Sequence, residues 1–334
     1  MPDSRRAVTM ESVLPFPLLA SQRQDGVYVL SLQQHTWPAF KEGHHAQGER
    51  LRLIFSEKAA AAVADLLPEL APRAVAILQR EQSLYGLELL LEAGICQSMQ
   101  NRLESICELD YLSIAATTSL PQLSTPGLLV MDMDSTAITI ECIDELAAAA
   151  GVGAEVAQVT ERAMQGELDF EQSLRQRVAK LKGANQSIID DLCARLPLSP
   201  GLESMIAELK SYGWRTVVAS GGFTPFVGHL QQLLGLDAAF ANELVISDGK
   251  LLGEVSGQVV DAAFKADVVK KCAEQWQIAA GQRLAIGDGA NDIPMVQAAD
   301  FGIAYHAKPK LAAAAAARIN KLGLQVLPFL LQGR

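Results

Sequence analysis

From residue 51 onward, short apolar runs alternate with stretches of helical spacing. Residues 51–55 predict a strand, 58–70 an Ala-rich helix ended by Pro72, and 74–79 and 85–91 two more strands. Residues 95–109 have helical spacing, and 112–116 close the segment as a strand. The predicted order is βαββαβ, a ferredoxin-like split unit that ACT-type ligand-sensing domains share with many unrelated folds. Residues 1–50 are mixed, with prolines, Gln-rich stretches and no sustained period, and they give neither an element nor a motif.

The Pro- and Ser/Thr-rich segment 119–126 reads as a linker, and beyond it the pattern changes. Four apolar runs, 127–131, 215–219, 283–286 and 301–304, each end in polar or glycine residues. Helical patterns lie between or after them at about 201–213, 224–235, 265–277, 291–299 and 309–318. Strands alternating with helices predict a Rossmann-like parallel sheet covered on both faces, with ligands at the carboxyl ends of its strands. More than eighty residues separate Asp132 from Arg215, where about 30 make a whole βαβ unit. The excess, 138–198, is helical in pattern and is expected to form a cap over the active edge. Residues 240–260 predict a hairpin turning at Asp248-Gly249. The expected organisation is therefore an α+β N-terminal domain over 1–118, ACT-like from about 51, the linker, and an α/β core over 127–334 carrying the 138–198 cap.

Composition narrows the function. The chain has 334 residues, enough for two or three domains, and 49% apolar with 20% charged residues is a globular balance. A net charge of −10 argues against wrapping nucleic acid or lying on an anionic membrane, since both require a basic surface. It also means that a small anionic substrate needs a local cationic device. No run of about 18 apolar residues suggests a membrane span. The odd count of five cysteines (Cys96, Cys107, Cys142, Cys193 and Cys272), without a CxxC pair, fits reduced cytoplasmic thiols better than a disulfide framework. Ser4-Arg5-Arg6 faintly suggests a twin-arginine signal, but Glu11, Pro15 and Pro17 interrupt what would be its apolar stretch, so the cytoplasm is expected.

The chemistry-bearing residues collect at the predicted strand ends. Asp132-Met133-Asp134-Ser135-Thr136 places two carboxylates at i and i+2 just past an apolar strand. One can attack phosphorus, the other can protonate the leaving oxygen and then activate water, and a hard cation such as Mg²⁺ can hold the pair together. Ser220-Gly221-Gly222 offers a hydroxyl and bare backbone N–H groups to an anion before a helix. Lys265 is placed at a helix opening, against the dipole, which asks for a negative partner. Gly287-Asp288-Gly289-Ala290-Asn291-Asp292 supplies a carboxylate ligand, a capping residue and a supporting acid. Gly287-x-Gly289 and Gly151-x-Gly153 lack the third glycine of a dinucleotide fingerprint, and no Walker A loop, GxSxG elbow or HExxH occurs.

In this order the motifs resemble the haloacid dehalogenase-like superfamily of aspartyl-phosphate phosphatases. Glu141, Thr160-Glu-Arg-Ala-Met-Gln-Gly-Glu-Leu-Asp-Phe170, Ser173-Leu-Arg-Gln-Arg-Val178, Leu181-Lys-Gly183 and Ser220-Gly-Gly-Phe223 extend the resemblance to its phosphoserine phosphatase family, over about 126–320. The length upstream is similar to bacterial forms with an extra N-terminal domain. The resemblance implies Asp132 as nucleophile and Asp134 as general acid/base. It implies Mg²⁺ on the Asp132 side chain, the Asp134 backbone carbonyl and the Asp288 side chain, with Asp292 supporting from behind. Ser220, Gly221, Asn291 and Lys265 would hold phosphate. In the cap, Glu141 would face the substrate ammonium and Arg177 its carboxylate, while Met164 and Phe170 would pack over it. The substrate implied is O-phospho-L-serine, hydrolysed to L-serine and phosphate as the last step of serine biosynthesis by a cytoplasmic monomer or homodimer. The alternatives are a related phosphomonoesterase, a phosphotransferase acting on another alcohol such as homoserine, and a non-catalytic amino-acid sensor. Dehalogenation does not need the second acid, Asp134. His35, His44 and His45 form no patterned metal set, and His306 follows a strand where a structural role is expected.

Overall fold

The computed structural model describes residues 20–24, 27–32, 35–39, 48–78 and 84–332, which fall into two compact units, 1–118 and 119–333. In the first unit three strands, β1 (Ala20–Gln24), β2 (Val27–Leu32) and β3 (His35–Pro38), form an antiparallel sheet where the sequence pattern gave no element. His44 and His45 lie outside the described residues.

A second antiparallel sheet is built from β4 (Glu49–Phe55), β5 (Ala74–Leu78), β6 (Tyr85–Leu91) and β7 (Leu109–Ile114) in the order β5-β6-β4-β7. Helices α1 (Ala60–Leu70) and α2 (Gln97–Ser105) complete the βαββαβ order. Period-2 alternation on β4 sends Leu51, Leu53 and Phe55 to one face, where they pack with Val63, Leu66 and Leu67 of α1 and with Leu87 and Leu89 of β6. The helix expected over 95–109 ends at Ser105. Glu108 adopts a left-handed φ of 55°, turning the chain so that Leu109 pairs with Phe55 at the start of β7. Sheet pairing therefore overrides the helical spacing of this stretch.

The second unit runs β8 (Leu128–Met131), α3 (Cys142–Ala149), α4 (Gly153–Met164), α5 (Phe170–Lys180), α6 (Ser187–Ala194), α7 (Leu202–Ser211), β9 (Arg215–Phe223) and α8 (Thr224–Leu234). It continues with β10 (Ala238–Ser247), β11 (Lys250–Ser256), α9 (Ala262–Gln275), β12 (Arg283–Gly287), α10 (Ile293–Ala298) and β13 (Phe301–Tyr305). It ends with α11 (Pro309–Ala314), β14 (Ala317–Ile319) and α12 (Leu327–Leu330). The sheet order is β11-β10-β9-β8-β12-β13-β14, parallel except for β11, which pairs antiparallel with β10. Chain order reverses beside β8: β9 and β10 lie on one side of it, β12 and β13 on the other. Such a switch point leaves a crevice at the strand carboxyl ends. The core strands read as continuous apolar runs because both faces are buried, with Leu128, Val130, Val217 and Ala285 packing against Val268, Val269 and Cys272 of α9.

The helix expected over 309–318 stops at Ala314, and residues 317–319 become β14 beside β13. Helices α3 to α6 form a cap joined to the core by a two-stranded neck. Ile138 and Leu198 pair antiparallel, Thr139 N donates to Pro197 O at 3.0 Å, and Ser199 N donates to Ala137 O at 2.9 Å. The hairpin β10–β11 carries the far side of the cap: Gly183 N donates to Leu251 O at 2.8 Å, and Gln186 N donates to Gly249 O at 2.8 Å.

Candidate active site

Asp132 follows β8 directly and is 4% exposed. One of its oxygens, Oδ1, accepts from Met133 N at 2.7 Å and lies 2.7 Å from Lys265 Nζ. Lys265 does not open its helix as expected from the sequence. Asp261 caps α9 by accepting from Phe264 N at 2.8 Å, so the helix starts at Ala262 and Lys265 sits one turn in. From there its 2%-exposed side chain reaches Asp132 and, at 2.9 Å, Asp292 Oδ1. Burial pushes Lys265 down, but Asp132 and Asp292 overcome this and hold it above its ordinary value as an ammonium. Burial lifts Asp132 against the pull of that same ammonium.

Past β12 the chain turns through Gly287-Asp288-Gly289. Asp292, fully buried, accepts from the backbone N–H of Asp288 at 3.2 Å and of Gly289 at 3.1 Å through Oδ2. A Cβ at Gly287 would fall on that carboxylate, so the turn requires glycine there. Asp132, Asp288 and Asp292 offer carboxylate oxygens within 4.8 Å of one another. Both oxygens of Asp292 are already engaged, one by Lys265 and one by backbone amides, which leaves Asp132 and Asp288 as the side chains open to a cation. Burial, with Asp292 and Glu141 adding repulsion, pushes Asp288 up to about 6. Lys265 neutralises only part of this negative cluster, so the donor set fits a hard divalent cation with oxygen ligands.

Asp134 lies in the turn Met133–Ala137, its Oδ1 accepting from Cys142 N at 2.9 Å at the start of α3. Its Oδ2 faces Gly222, where a Cβ would lie 2.9 Å away. Burial pushes Asp134 up to about 6, against the hydrogen bonds from Cys142. Such a carboxyl can give and take a proton near neutral pH. Ser135 takes a left-handed φ of 55°, and its hydroxyl donates to Glu141 Oε1 at 2.8 Å, tying the exposed Glu141 to the turn beside Asp134. On β9, Ser220 is fully buried and its Oγ accepts from Gly222 N at 2.9 Å.

Of the sequence-derived set, Asp132, Asp134, Ser220, Gly221, Asp288 and Asp292 lie at or just past the ends of β8, β9 and β12, Lys265 reaches Asp132 and Asp292 from α9, and Glu141 precedes α3. Arg177 of α5 is half-buried with its Nε unpartnered among the described residues. Burial lowers it, while Asp144, Glu141 and Asp134 raise it, which places it within the field of the same acids. Phe170 packs its ring against Gly221, at 2.9 Å from where a Cβ would stand. Asn291 is exposed in the Ala290–Asp292 turn. Met164 differs from the rest. It is 79% exposed at the end of α4, on the wall of a cavity of about 270 Å³ that Asp144 and Thr160 also line, so it does not close over the carboxylates in this structure. His306 bonds Leu322 O at 2.9 Å, a structural contact. The motifs did not reveal Cys142, whose amide holds Asp134, or Asn242, the one amide of β10.

The family profile described as haloacid dehalogenase-like hydrolase matches residues 127–300. A phosphoserine phosphatase of Vibrio cholerae is 51% identical over 237 residues, 71% of this chain and 71% of that protein. A crystal structure of a probable phosphoserine phosphatase from Vibrio cholerae, in unliganded form, superposes with a TM-score of 0.75 and 42% identity over 87% of this chain and 88% of that one. A phosphoserine phosphatase solved as a phospho-aspartyl intermediate analogue gives 0.57 and 42% identity over 61% of this chain and 99% of that one.

Proposed function

We propose, from the premise that the chain belongs to the phosphoserine phosphatases of the haloacid dehalogenase-like hydrolases, that Asp132 is the residue on which the phosphoryl group of O-phospho-L-serine is carried. The observation behind this reading is the buried Asp132–Lys265–Asp292 ion-paired set at the ends of β8 and β12, with Asp134 on the same turn as Asp132.

The Asp132 carboxylate attacks phosphorus and forms an aspartyl-phosphate while the serine oxygen leaves. Asp134, poised near pH 6 by burial, gives that oxygen its proton and then takes one from the water that hydrolyses the acyl-phosphate. Lys265, kept cationic, neutralises charge gathering on the transferred group and steadies Asp132 between attacks. Ser220, the Gly221 amide and Asn291 orient the phosphate oxygens. Asp132, Asp288 and the backbone carbonyl of Asp134 would hold Mg²⁺, with Asp292 bracing the turn; the ion would supply charge stabilisation on the phosphoryl oxygens. In the cap, Glu141 faces the substrate ammonium and Arg177 forks onto its carboxylate, a pairing suited to a zwitterion. Phe170 closes over the phosphate-binding strand end, and Met164 would do so only after α4 moves inward. The five free cysteines fit the cytoplasm as the working compartment of this monomer or homodimer.

The test is phosphate release from a panel of phosphomonoesters including L- and D-phosphoserine, with and without Mg²⁺, alongside mass spectrometry of acid-quenched enzyme. A phosphoryl adduct on Asp132 and preference for the L-ester are expected. Release without any adduct on Asp132 would overturn the assignment.

A further inference from the structure

We propose that Asn242, which touches none of the residues assigned to the chemistry by their motifs except through main chain, is the positioning residue that fixes the phosphate-binding end of β9 relative to the helix bearing Lys265. The proposal rests on the reading that Ser220 and Gly221 hold phosphate.

Asn242 is 1% exposed and lies on β10, opposite Phe223 of β9. The register of that parallel pair shifts between Phe240 and Asn242, an irregularity of the kind that re-aims a side chain. The Asn242 amide spends both functions on other segments. Its Nδ2 donates to Gly221 O at 2.8 Å, and its Oδ1 accepts from Val260 N at 2.8 Å. Gly221 follows Ser220 at the anion-binding turn. Val260 precedes Asp261, the cap of α9, and one turn later that helix presents Lys265. A single planar group therefore sets the spacing between the phosphate-binding strand end and the base of the lysine that faces the transferred group.

The chemistry demands an amide. One neighbour is a carbonyl, which only accepts, and the other an N–H, which only donates, so the side chain must offer one donor and one acceptor about two bonds apart. A carboxylate keeps the bond from Val260 but turns an oxygen on Gly221 O. An apolar residue leaves two buried main-chain groups unsatisfied. Because the site requires its donors within a few tenths of an ångström of the phosphate oxygens, a shift of Gly221 weakens phosphate binding without moving Glu141 or Arg177, the pair that would grip the ammonium and carboxylate of the amino acid.

The experiment is product inhibition of the full chain: inhibition constants for inorganic phosphate and for L-serine in the wild type, Asn242→Asp, Asn242→Thr and Ser220→Ala. Asn242→Asp is expected to raise the phosphate constant about tenfold with the L-serine constant unchanged. Asn242→Thr, whose hydroxyl keeps a donor, should show the same split more weakly, and it decides the question if the aspartate variant does not fold. Equal movement of both constants, or of neither, overturns the proposal. If Ser220→Ala also leaves the phosphate constant unchanged, the phosphate-site reading has failed; if it raises that constant and the Asn242 variants do not, only the positioning role has.

Discussion

In the N-terminal sheet Arg50 and Arg52 of β4, Glu88 of β6 and Asp110 of β7 are each at most 3% exposed, two cations set against two acids on one face. Arg52 Nε meets Glu88 Oε2 at 2.6 Å, and Arg50 reaches the same carboxylate at 3.4 Å and Thr118 O at 3.3 Å. At the ends of β8 and β12 one lysine stands among Asp132, Asp134, Asp288 and Asp292, and burial lifts three of those carboxyls. Buried charge alone is thus no mark of a site. Among the described residues the first set is balanced, and its ion pairs tie β4 to β6. The second is unbalanced, gathers where strands end, and offers carboxylates that could hold a cation.

The contrast can be broken in graded steps. Asp132→Asn should drop turnover of phosphoserine by at least about 10⁴-fold while circular dichroism stays native; residual hydrolysis near the wild-type rate would remove the nucleophile assignment. Asp134→Asn should cost about 10²–10⁴-fold on phosphoserine, whose alkoxide must be protonated. In the first, phosphorylating step, read by single-turnover release of the alcohol, the loss should be far smaller on an aryl phosphate, whose leaving group needs no proton, and equal losses in that step would show that Asp134 is not the acid. Arg177→Lys should raise KM for phosphoserine about tenfold with kcat little changed, since a fork becomes a point charge. The fourth step is Glu88→Gln, which removes the charge of the carboxylate that Arg50 and Arg52 share. It should cost stability by about 3–5 kcal/mol in urea unfolding, yet leave kcat per folded molecule as it was. A kcat loss there would mean that the balanced set serves catalysis after all.

The imbalance also sets a pH dependence, the gentlest of these effects. Asp134 and Asp288 titrate near 6 in the folded chain and lower when unfolded. Between the ordinary carboxylate range and about 6 the folded state therefore binds more protons, and stability falls as pH rises through that window. A divalent cation that takes the ionised carboxylates offsets this cost. The rise in Tm on adding Mg²⁺ should accordingly grow between pH 5 and pH 7. A rise independent of pH would place the ion elsewhere.

Much of the site was legible in the sequence because its chemistry sits at transitions of pattern. An apolar run that ends on Asp132, Ser220 or Gly287 announces both a buried strand and the point where polar residues gather at its end. The reason that singled out Lys265 does not hold: the dipole argument placed it at a helix start, whereas Asp261 holds that place and Lys265, one turn in, ion-pairs with Asp132 and Asp292. Residues 309–318 read as one helix because alanine favours helix, yet Ala317 and Ile319 turn to pair with β13, where a sheet edge outweighs local propensity. Asn242 had a signal that went unused, the one amide of β10 and buried there, but what it bonds is main chain of other segments, and no motif encodes that. The chain spanned by β1 to β3 has no sustained period to read.

The contact of Phe170 with Gly221 bears on how such an enzyme could be rebuilt. The cap hangs from a narrow neck, which invites exchange of one cap for another to change what is recognised. But the ring at 170 occupies the space that a side chain at 221 would claim. Cap and core are therefore keyed to each other at one ring and one glycine. A transplanted cap that arrives without a ring of this size leaves a gap over Gly221, and a core with any larger residue at 221 must displace this ring. Modular shuffling in this architecture has to move in matched pairs, with that contact as the lock.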